Sequence, residues 1–530
     1  MLPARGRGGQ SGITPLALHP LLAAAYPVGF LFAQNVAEQV TLQPLWLPLV
    51  ASVAGGAAAL VAGRLVTGDW LRGALLATLG LALFFSFGHV WNLVGETLVV
   101  RRWLIGAYAL VGIVGAVIAW RGGPWVPSLS RFLALALLIG IALNAWSIAS
   151  FGLRGPAAPV AGPIDVTVGE RGRPDIYFVV VDRYAGEGTL REQYEHDNDP
   201  FLDALRQRGF TIATDAWANY LKTALSLAST LSMDHLDGDA LSAAAEPGRE
   251  LVVAYDLLQG RLAVPATLQA LGYEWVHIGS YWEPTGTNRH ADRVIGSSRG
   301  DQFSAALLST TVLSLLSPPV DPGERTIEGW GTSKEFTIRQ FEHLAASADL
   351  AGPSFVFTHF LVPHPPYNFD VDGSTPTEEE RAARSEEEEY VRQLLWTNDR
   401  LLETIDALLD VPAGEEPIIV LAADEGPFPP GTDTAGFDWL EATPAQVERK
   451  YAILNALRLP GVVPSEAGVH DRSSPVNTFR YVMNAYFGAD LPLLPDSVLL
   501  SPDYRRLYDF VEVERADDGA PILPAARNGP

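Results

Sequence analysis

The chain has 530 residues, 48% of them hydrophobic and 10% aromatic, which gives room for two to four domains with buried cores and excludes a disordered chain. With 37 Lys plus Arg against 61 Asp plus Glu, the formal net charge of −24 excludes a protein that binds nucleic acid by neutralising its phosphates. There is no cysteine, so disulfides, thiolate metal ligands and a cysteine nucleophile are excluded as well. The charge is unevenly spread: residues 1–154 carry nine Arg and three acids, and the rest of the chain is strongly acidic. Lys222, Lys334 and Lys450 are the three lysines among the 37 basic residues, a bias that reads as genomic composition.

Residues 1–151 contain five stretches long and apolar enough to cross a bilayer, at about 16–34, 45–66, 72–94, 103–120 and 132–151. The first is not a removable signal peptide, because no small-residue cleavage site follows it and further spans come directly after. Arg5, Arg7, Arg64, Arg72, Arg121 and Arg131 fall on one side of the spans, against Arg101 and Arg102 on the other. Positive charge collects on the cytoplasmic face, so the N-terminus is expected inside and the acidic remainder outside, in a multi-pass protein of a bacterial-type cell membrane.

Residues 152–174 are rich in Gly and Pro and read as a tether. An α/β domain is expected over 175–512, with a frayed tail at 513–530. Continuous apolar runs at 176–181, 274–278, 354–358 and 417–422 suit strands buried on both faces, and helical patterns alternate with them at about 198–208, 223–236, 334–347, 386–410 and 474–487. This alternation predicts an α/β fold whose sheet carries helices on both faces and whose ligands lie beyond the carboxyl ends of the strands. The acidic runs Glu378–Glu380 and Glu386–Glu389 read as solvated first turns, with Glu388 placed to pair with Arg392 four residues on.

Four segments put oxygen or imidazole groups at the expected strand ends. Asp182 ends the first strand, as a metal ligand or as a cap of the following turn. Asp424 and Glu425 end the run at 417–422, followed by Gly426, which permits a tight turn. Carboxylates that converge at strand ends repel one another unless a cation neutralises them, and a divalent metal is the simplest such cation. Thr223 opens a hydroxyl-rich helix, where it either caps the helix or, beside a metal, acts as a nucleophile; Lys222 before it either leans on a phosphate or is a surface lysine. His359 and His364 lie five residues apart in a proline-rich loop leaving a strand, in a structural role or in contact with substrate or metal.

Taken together, PDIYFVVVD, NYLKTALSLAS, LGYEWVHIGS, FVFTHFLVPHPPY, IIVLAADEG, YAILNALRLPG and SPVNTFRYVMNAYFG resemble the alkaline phosphatase/sulfatase superfamily over about 175–510. The resemblance is greatest to its membrane-anchored branch of lipoteichoic acid synthases and phosphoethanolamine transferases. It implies a metal-assisted displacement at phosphorus or sulfur, with Asp182 as the first-strand ligand, Thr223 as the nucleophile that also touches the metal, and Asp424 as the Asp of the family's Asp-His-Gly. His359, His364 and Lys222 then line the substrate's charged group. The chain departs from the pattern at Glu425, which stands where that motif has His. A site of Asp182, Thr223, Asp424 and Glu425 is all oxygen, which suits a single Mn²⁺ or Mg²⁺, with Ca²⁺ and Zn²⁺ as alternatives, and Glu425→His is expected to shift preference toward Zn²⁺.

Sulfatase chemistry by formylglycine needs a C/S-x-P-x-R motif, which neither Ser226–Thr230 nor Ser229–Met233 supplies. An unmodified threonine fits phosphoryl transfer, with Thr223 preferred over Ser226 because it sits in the expected first turn and matches the family position. The expectation is therefore transfer of a substituted phosphate, of the phosphoglycerol or phosphoethanolamine type, from a membrane lipid donor to a cell-envelope glycan or lipid through a phospho-threonine. The alternatives are a metal-dependent phosphodiesterase or sulfatase-like hydrolase with the same residues, and a catalytically silent envelope-binding protein motivated by Glu425.

Overall fold

The structure, a computed structural model, describes residues 15–36, 42–94, 98–152, 162–169, 171–247, 249–296, 301–316, 333–516 and 519–523, and the chain divides into two compact units. The first unit is helical: α1 (His19–Gln34), α2 (Gln43–Thr67), α3 (Trp70–Val94), α4 (Leu98–Arg121) and α5 (Val126–Gly152). Each contains a stretch long and apolar enough to cross a membrane, at the places read from the sequence. Their apolar residues run around the whole helix rather than along one stripe, as a lipid-facing helix requires. Gly63 and Gly73 let α2 and α3 meet backbone to backbone, since a Cβ on Gly63 would overlap the Gly73 carbonyl.

One segment expected in the soluble domain belongs to this helical unit instead. The helix Asp301–Ser309 and the turn Val312–Leu316 cluster with α1–α5. Phe303 and Leu307 pack with Val28, Phe32 and Phe85, and the Gly88 N–H donates to the Thr310 carbonyl at 2.9 Å. The physical reason is in the sequence: residues 302–316 carry no charge and five Leu.

The second unit is built on a seven-stranded sheet. Its strands are β1 (Ile176–Val181), β2 (Thr211–Ile212), β3 (Glu274–Ile278), β4 (Arg293–Ile295), β5 (Ser354–Phe360), β6 (Ile418–Ala422) and β7 (Asn455–Arg458), in the order β2-β7-β6-β1-β5-β3-β4. β4, β3, β5, β1 and β6 run parallel, while at one edge β7 pairs antiparallel to β6 and β2 pairs antiparallel to β7. Side chains alternate across β1: Tyr177, Val179 and Val181 enter one apolar core, and Ile176, Phe178 and Val180 the other. Both faces are therefore covered, which is why β1, β5 and β6 read as unbroken apolar runs.

The expected helices form at Asp199–Gln207, Thr223–Ser232, Ser333–Ala346, Glu386–Leu409 and Pro475–Phe487. Further short helices, Gly238–Ala244, Glu250–Leu258, Ala263–Ala270 and Pro444–Tyr451 among them, pass unread in the sequence. Glu388 does not pair with Arg392: its carboxylate accepts the Ser385 N–H in a capping box, and Arg392 turns to Asp370. The expected tether lies partly outside the described residues, at 153–161 and 170; its part at 162–169 is laid on this second unit, with the Thr167 and Gly169 N–H groups donating to the Phe487 and Tyr486 carbonyls at 3.1 Å each. The expected frayed tail begins instead inside a small antiparallel sheet, β8 (Val498–Leu500), β9 (Val511–Arg515) and β10 (Pro521–Ile522), while residues 524–530 lie outside the described residues.

Candidate functional site

The parallel register decides what meets at the carboxyl edge of the sheet. Val180 lies opposite His359 of β5 on one side and Ala422 of β6 on the other. The residues just beyond, Asp182 after β1 and Asp424 after β6, therefore flank His359. His359 Nε2 lies 3.9 Å from Asp182 Oδ2 and 3.8 Å from Asp424 Oδ2, and no side chain of the three is more than 5% exposed. The sequence reading placed His359 on a loop; it is the sixth residue of β5, and the loop begins only after Phe360.

This cluster is under electrostatic strain by itself. Burial, and then the neighbouring Asp424, hold the Asp182 carboxyl well above the usual carboxylate range. Burial and Glu425 push Asp424 up to about 7. Burial also pushes His359 down to about 3, so its imidazole is neutral with a lone pair to offer. Asp182 Oδ1, both Asp424 oxygens and His359 Nε2 are buried without a hydrogen-bond partner. Unpaired buried groups of this kind cost on the order of 1–3 kcal/mol each. Three ligand atoms within 4.8 Å of one another, two anionic and one neutral imidazole, fit a divalent cation.

Thr223 is the first residue of the helix Thr223–Ser232, and its hydroxyl lies near enough to Asp424 to favour the charged form of that carboxyl. Ser226 is directed elsewhere, donating to the Tyr220 carbonyl at 3.2 Å. Glu425 reaches the same pocket, but its Oε1 is taken by Lys450 Nζ at 2.9 Å and by Arg183 Nε at 3.4 Å, leaving Oε2 without a partner. Gly426 is required less for a tight turn than for close approach: a Cβ there would overlap the Arg449 carbonyl, and its N–H donates to the Lys450 carbonyl at 2.8 Å while Lys450 Nζ donates back to the Gly426 carbonyl at 3.0 Å.

Around this sits a cluster of cations that the sequence reading saw only in part. Arg183, Lys222 and Lys450 converge on the face of Phe428, at 4.6, 4.4 and 3.5 Å from its ring centre. Arg183 holds a left-handed backbone (φ 59°), a conformation that costs a non-glycine on the order of 1 kcal/mol or more. Tyr390 pins it, its hydroxyl donating to the Arg183 carbonyl at 2.8 Å and accepting the Ala185 N–H at 3.0 Å. Asp433 closes the cluster, its carboxylate 3.0 Å from the Arg183 guanidinium and 3.5 Å from Lys222, with Tyr504 bonded to both Lys222 and Asp433. Burial alone would raise Asp433, but Lys222 and Arg183 outweigh it and hold its carboxyl far below the usual range. Burial lowers Lys222, against the pull of Glu425 and Asp433, and brings Lys450 down to about 7 against the pull of Glu425.

His364 lies on the loop after β5, where burial and then Arg183 keep it neutral; Nδ1 faces the Pro365 carbonyl and Gln393 donates to its own carbonyl at 3.0 Å. Arg183, Lys450, Asp433 and Tyr504 carried no motif in the sequence. The one available signal was the scarcity of lysine, since two of the three in the chain stand here.

The Sulfatase family model matches residues 174–466. No curated protein sequence matches the chain. Among solved structures, the C-terminal periplasmic domain of EcEptC from Escherichia coli is 14% identical with a TM-score of 0.41, over 64% of this chain and 93% of its own. The integral membrane protein lipooligosaccharide phosphoethanolamine transferase A (EptA) from Neisseria meningitidis is 13% identical with a TM-score of 0.38, over 89% of this chain and 95% of its own. The phosphonate monoester hydrolase of Agrobacterium radiobacter is 15% identical with a TM-score of 0.38, over 62% of this chain and 80% of its own. The family match runs from the start of β1 past β7, over more than half of the chain and over every strand end that carries the acidic and imidazole cluster, and the chain belongs to the Sulfatase family.

Proposed function

We propose that the chain is a membrane-bound, metal-dependent phosphotransferase that moves a substituted phosphate, of the phosphoglycerol or phosphoethanolamine type, from a lipid donor to a glycan or lipid of the cell envelope. The observation that carries this reading is Thr223: a hydroxyl at the first position of a helix, near enough to Asp424 of the buried carboxylate–imidazole cluster to favour that carboxyl's charged form. Five helices able to span a membrane support a donor that is itself a lipid. The N-terminus lies inside and the family domain outside, as the arginine distribution favours.

Asp182, His359, Asp424 and the Thr223 hydroxyl would hold one divalent ion, with Glu425 Oε2 in reserve. An imidazole in the donor set brings Zn²⁺ level with the Mn²⁺ or Mg²⁺ that an all-oxygen site suggests. Bound there, the ion neutralises the paired carboxylates and acts as a Lewis acid toward the phosphoryl oxygens.

The protein's own groups do the rest. Thr223 Oγ1 attacks phosphorus and passes its proton to the neighbouring Asp424 carboxylate. The Oγ1–P bond forms as the bond from phosphorus to the donor's alkoxide breaks. Lys222 and Arg183, with His364 beside Arg183, face the charge that gathers on the phosphoryl oxygens. The helix N-terminus at Thr223 adds its partial positive charge. The acceptor hydroxyl then takes the group from the phospho-threonine by the reverse displacement.

The test is intact-mass and peptide mapping of the purified full chain in detergent, incubated with Mn²⁺ or Zn²⁺ and total membrane lipid. A substituted-phosphate adduct on Thr223, absent in Thr223→Ala, is expected, and its mass identifies the head group. Metal binding with release of a soluble product and no adduct or acceptor product would move the reading to a hydrolase.

A further inference from the structure

A second layer of side chains stands behind His359, on the loop that follows β3 and the one-turn helix Glu283–Gly286 that the loop leads into. Thr285 Oγ1 lies 2.9 Å from His359 Nδ1 and 2.7 Å from Ser280 Oγ. Ser280 Oγ in turn donates to the Trp282 carbonyl at 3.1 Å and accepts the Trp282 N–H at 3.1 Å. His359, Ser280 and Thr285 are each at most 1% exposed, so water does not compete for these bonds.

Each hydroxyl carries one proton, so the chain can run in either of two directions. In one of them the Ser280 proton goes to the Trp282 carbonyl and Thr285 donates the bond between the two hydroxyls. With its own proton spent on Ser280, Thr285 Oγ1 can only accept from His359, which places the imidazole proton on Nδ1. Nε2 is then left as a lone pair, and Nε2 is the atom that lies between Asp182 and Asp424 without a partner. The opposite tautomer would need an N–H at Nε2 pointing at carboxylate oxygens 3.8 and 3.9 Å away, beyond hydrogen-bond reach.

The backbone of Thr285 is held on three sides. Its N–H donates to the Trp282 carbonyl at 3.0 Å, and its carbonyl accepts the Ser280 N–H at 3.0 Å and His277 Nε2–H at 2.9 Å. From this we propose that Thr285 and Ser280 are positioning residues of the metal centre, a hydroxyl relay that locks His359 in the tautomer and orientation able to bind a divalent cation through Nε2. Neither residue touches the cation or the substrate; both act through His359, as outer partners of metal-bound histidines do. The proposal rests on the metal-centre part of the function above and is independent of donor, acceptor and phospho-threonine.

The experiment is titration of the chelator-stripped full chain in detergent with Zn²⁺ and with Mn²⁺, read by calorimetry, for the wild type, Thr285→Val, Thr285→Ser and Ser280→Ala. Thr285→Val keeps the volume but cannot accept the Nδ1 proton, and is expected to weaken metal binding by about 10- to 100-fold. Thr285→Ser restores the hydroxyl and is expected to return the affinity to within about threefold of the wild type. Ser280→Ala, which removes only the far end of the relay, weakens binding in the same direction and by less. Thermal unfolding of each metal-free variant separates loss of the site from loss of the fold. Thr285→Val or Ser280→Ala that folds and binds both metals as the wild type does overturns the relay, and so does Thr285→Ser no better than Thr285→Val. Wild-type metal binding without any adduct on Thr223 sinks the transferase reading and leaves the relay standing.

Discussion

Lys450 Nζ lies 2.9 Å from Glu425 Oε1 with neither side chain more than 3% exposed, so the residue that departs from the Asp-His-Gly pattern is tied to a buried cation. That changes what Glu425→His does. The sequence alone led to a swap of metal preference; in the fold the same substitution also strands Lys450 among Arg183 and Lys222. Removing one partner of a buried pair costs on the order of 3–5 kcal/mol, whereas replacing both by neutral groups is often near neutral. Urea unfolding is therefore expected to show Glu425→His strongly destabilised and Glu425→His with Lys450→Met largely recovered. Equal stability of the single and double variants would mean that the pair contributes nothing.

The raised carboxyls set a pH dependence whose sign differs between the metal-free and metal-bound protein. Asp182 and Asp424 take up protons in the folded state at higher pH than in the unfolded chain, Asp424 at about 7. Between about pH 4 and 7 the metal-free fold therefore holds more protons than the unfolded chain, and its stability falls as pH rises. A cation must displace the same protons, so metal affinity is expected to climb by roughly tenfold per pH unit for each proton released, with the Asp424 share levelling off above about 7. Melting curves from pH 5 to 8.5, with and without Mn²⁺, check both slopes. Parallel slopes in the two series would remove Asp182 and Asp424 from the metal site.

How far the sequence carried can be seen residue by residue. β1, β5 and β6 were legible because strands buried on both faces leave unbroken apolar runs, and Asp182 and Asp424 were legible because they end those runs. His359 was visible as a histidine near a strand end, but its place opposite Val180 depends on the β1–β5 register, which no local pattern encodes. Lys450 and Gly426 are 24 residues apart and meet only because the chain after β6 passes against the end of the helix Pro444–Tyr451. Ser280 sits in the loop after β3 and Thr285 in the one-turn helix Glu283–Gly286, both too short to show a periodicity. The apolar segment at 302–316 was visible in composition, but at 15 residues it is too short to read as a span, and its packing on α1–α3 is a tertiary fact.

Asp433 occupies the Arg183 and Lys222 cations that the proposed reaction assigns to a phosphoryl group. Its carboxylate is 41% exposed, on the segment between Gly431 and Gly436, so an incoming anion can displace it. Asp433→Asn removes the internal competitor while keeping the side-chain shape. Inorganic phosphate is expected to bind the metal-loaded variant about tenfold more tightly, a gain of about 1.4 kcal/mol. Calorimetric titration with phosphate at fixed pH checks this, and unchanged or weaker affinity would show that Asp433 instead holds the cations in place for the substrate.

The orientation of the spans can be tested cleanly because the chain has no cysteine, so one introduced thiol reports without background. Pro124→Cys lies in the exposed turn between α4 and α5, beside Arg121, and Ser465→Cys lies on an exposed stretch of the family domain. With the N-terminus inside, four spans return residue 124 to the cytoplasm and the fifth puts residue 465 outside. A membrane-impermeant maleimide added to intact cells is then expected to label Ser465→Cys and to reach Pro124→Cys only after the membrane is opened. The reverse pattern would put the family domain in the cytoplasm, where an outer-envelope acceptor is out of reach, and would remove the proposed acceptor class together with the orientation.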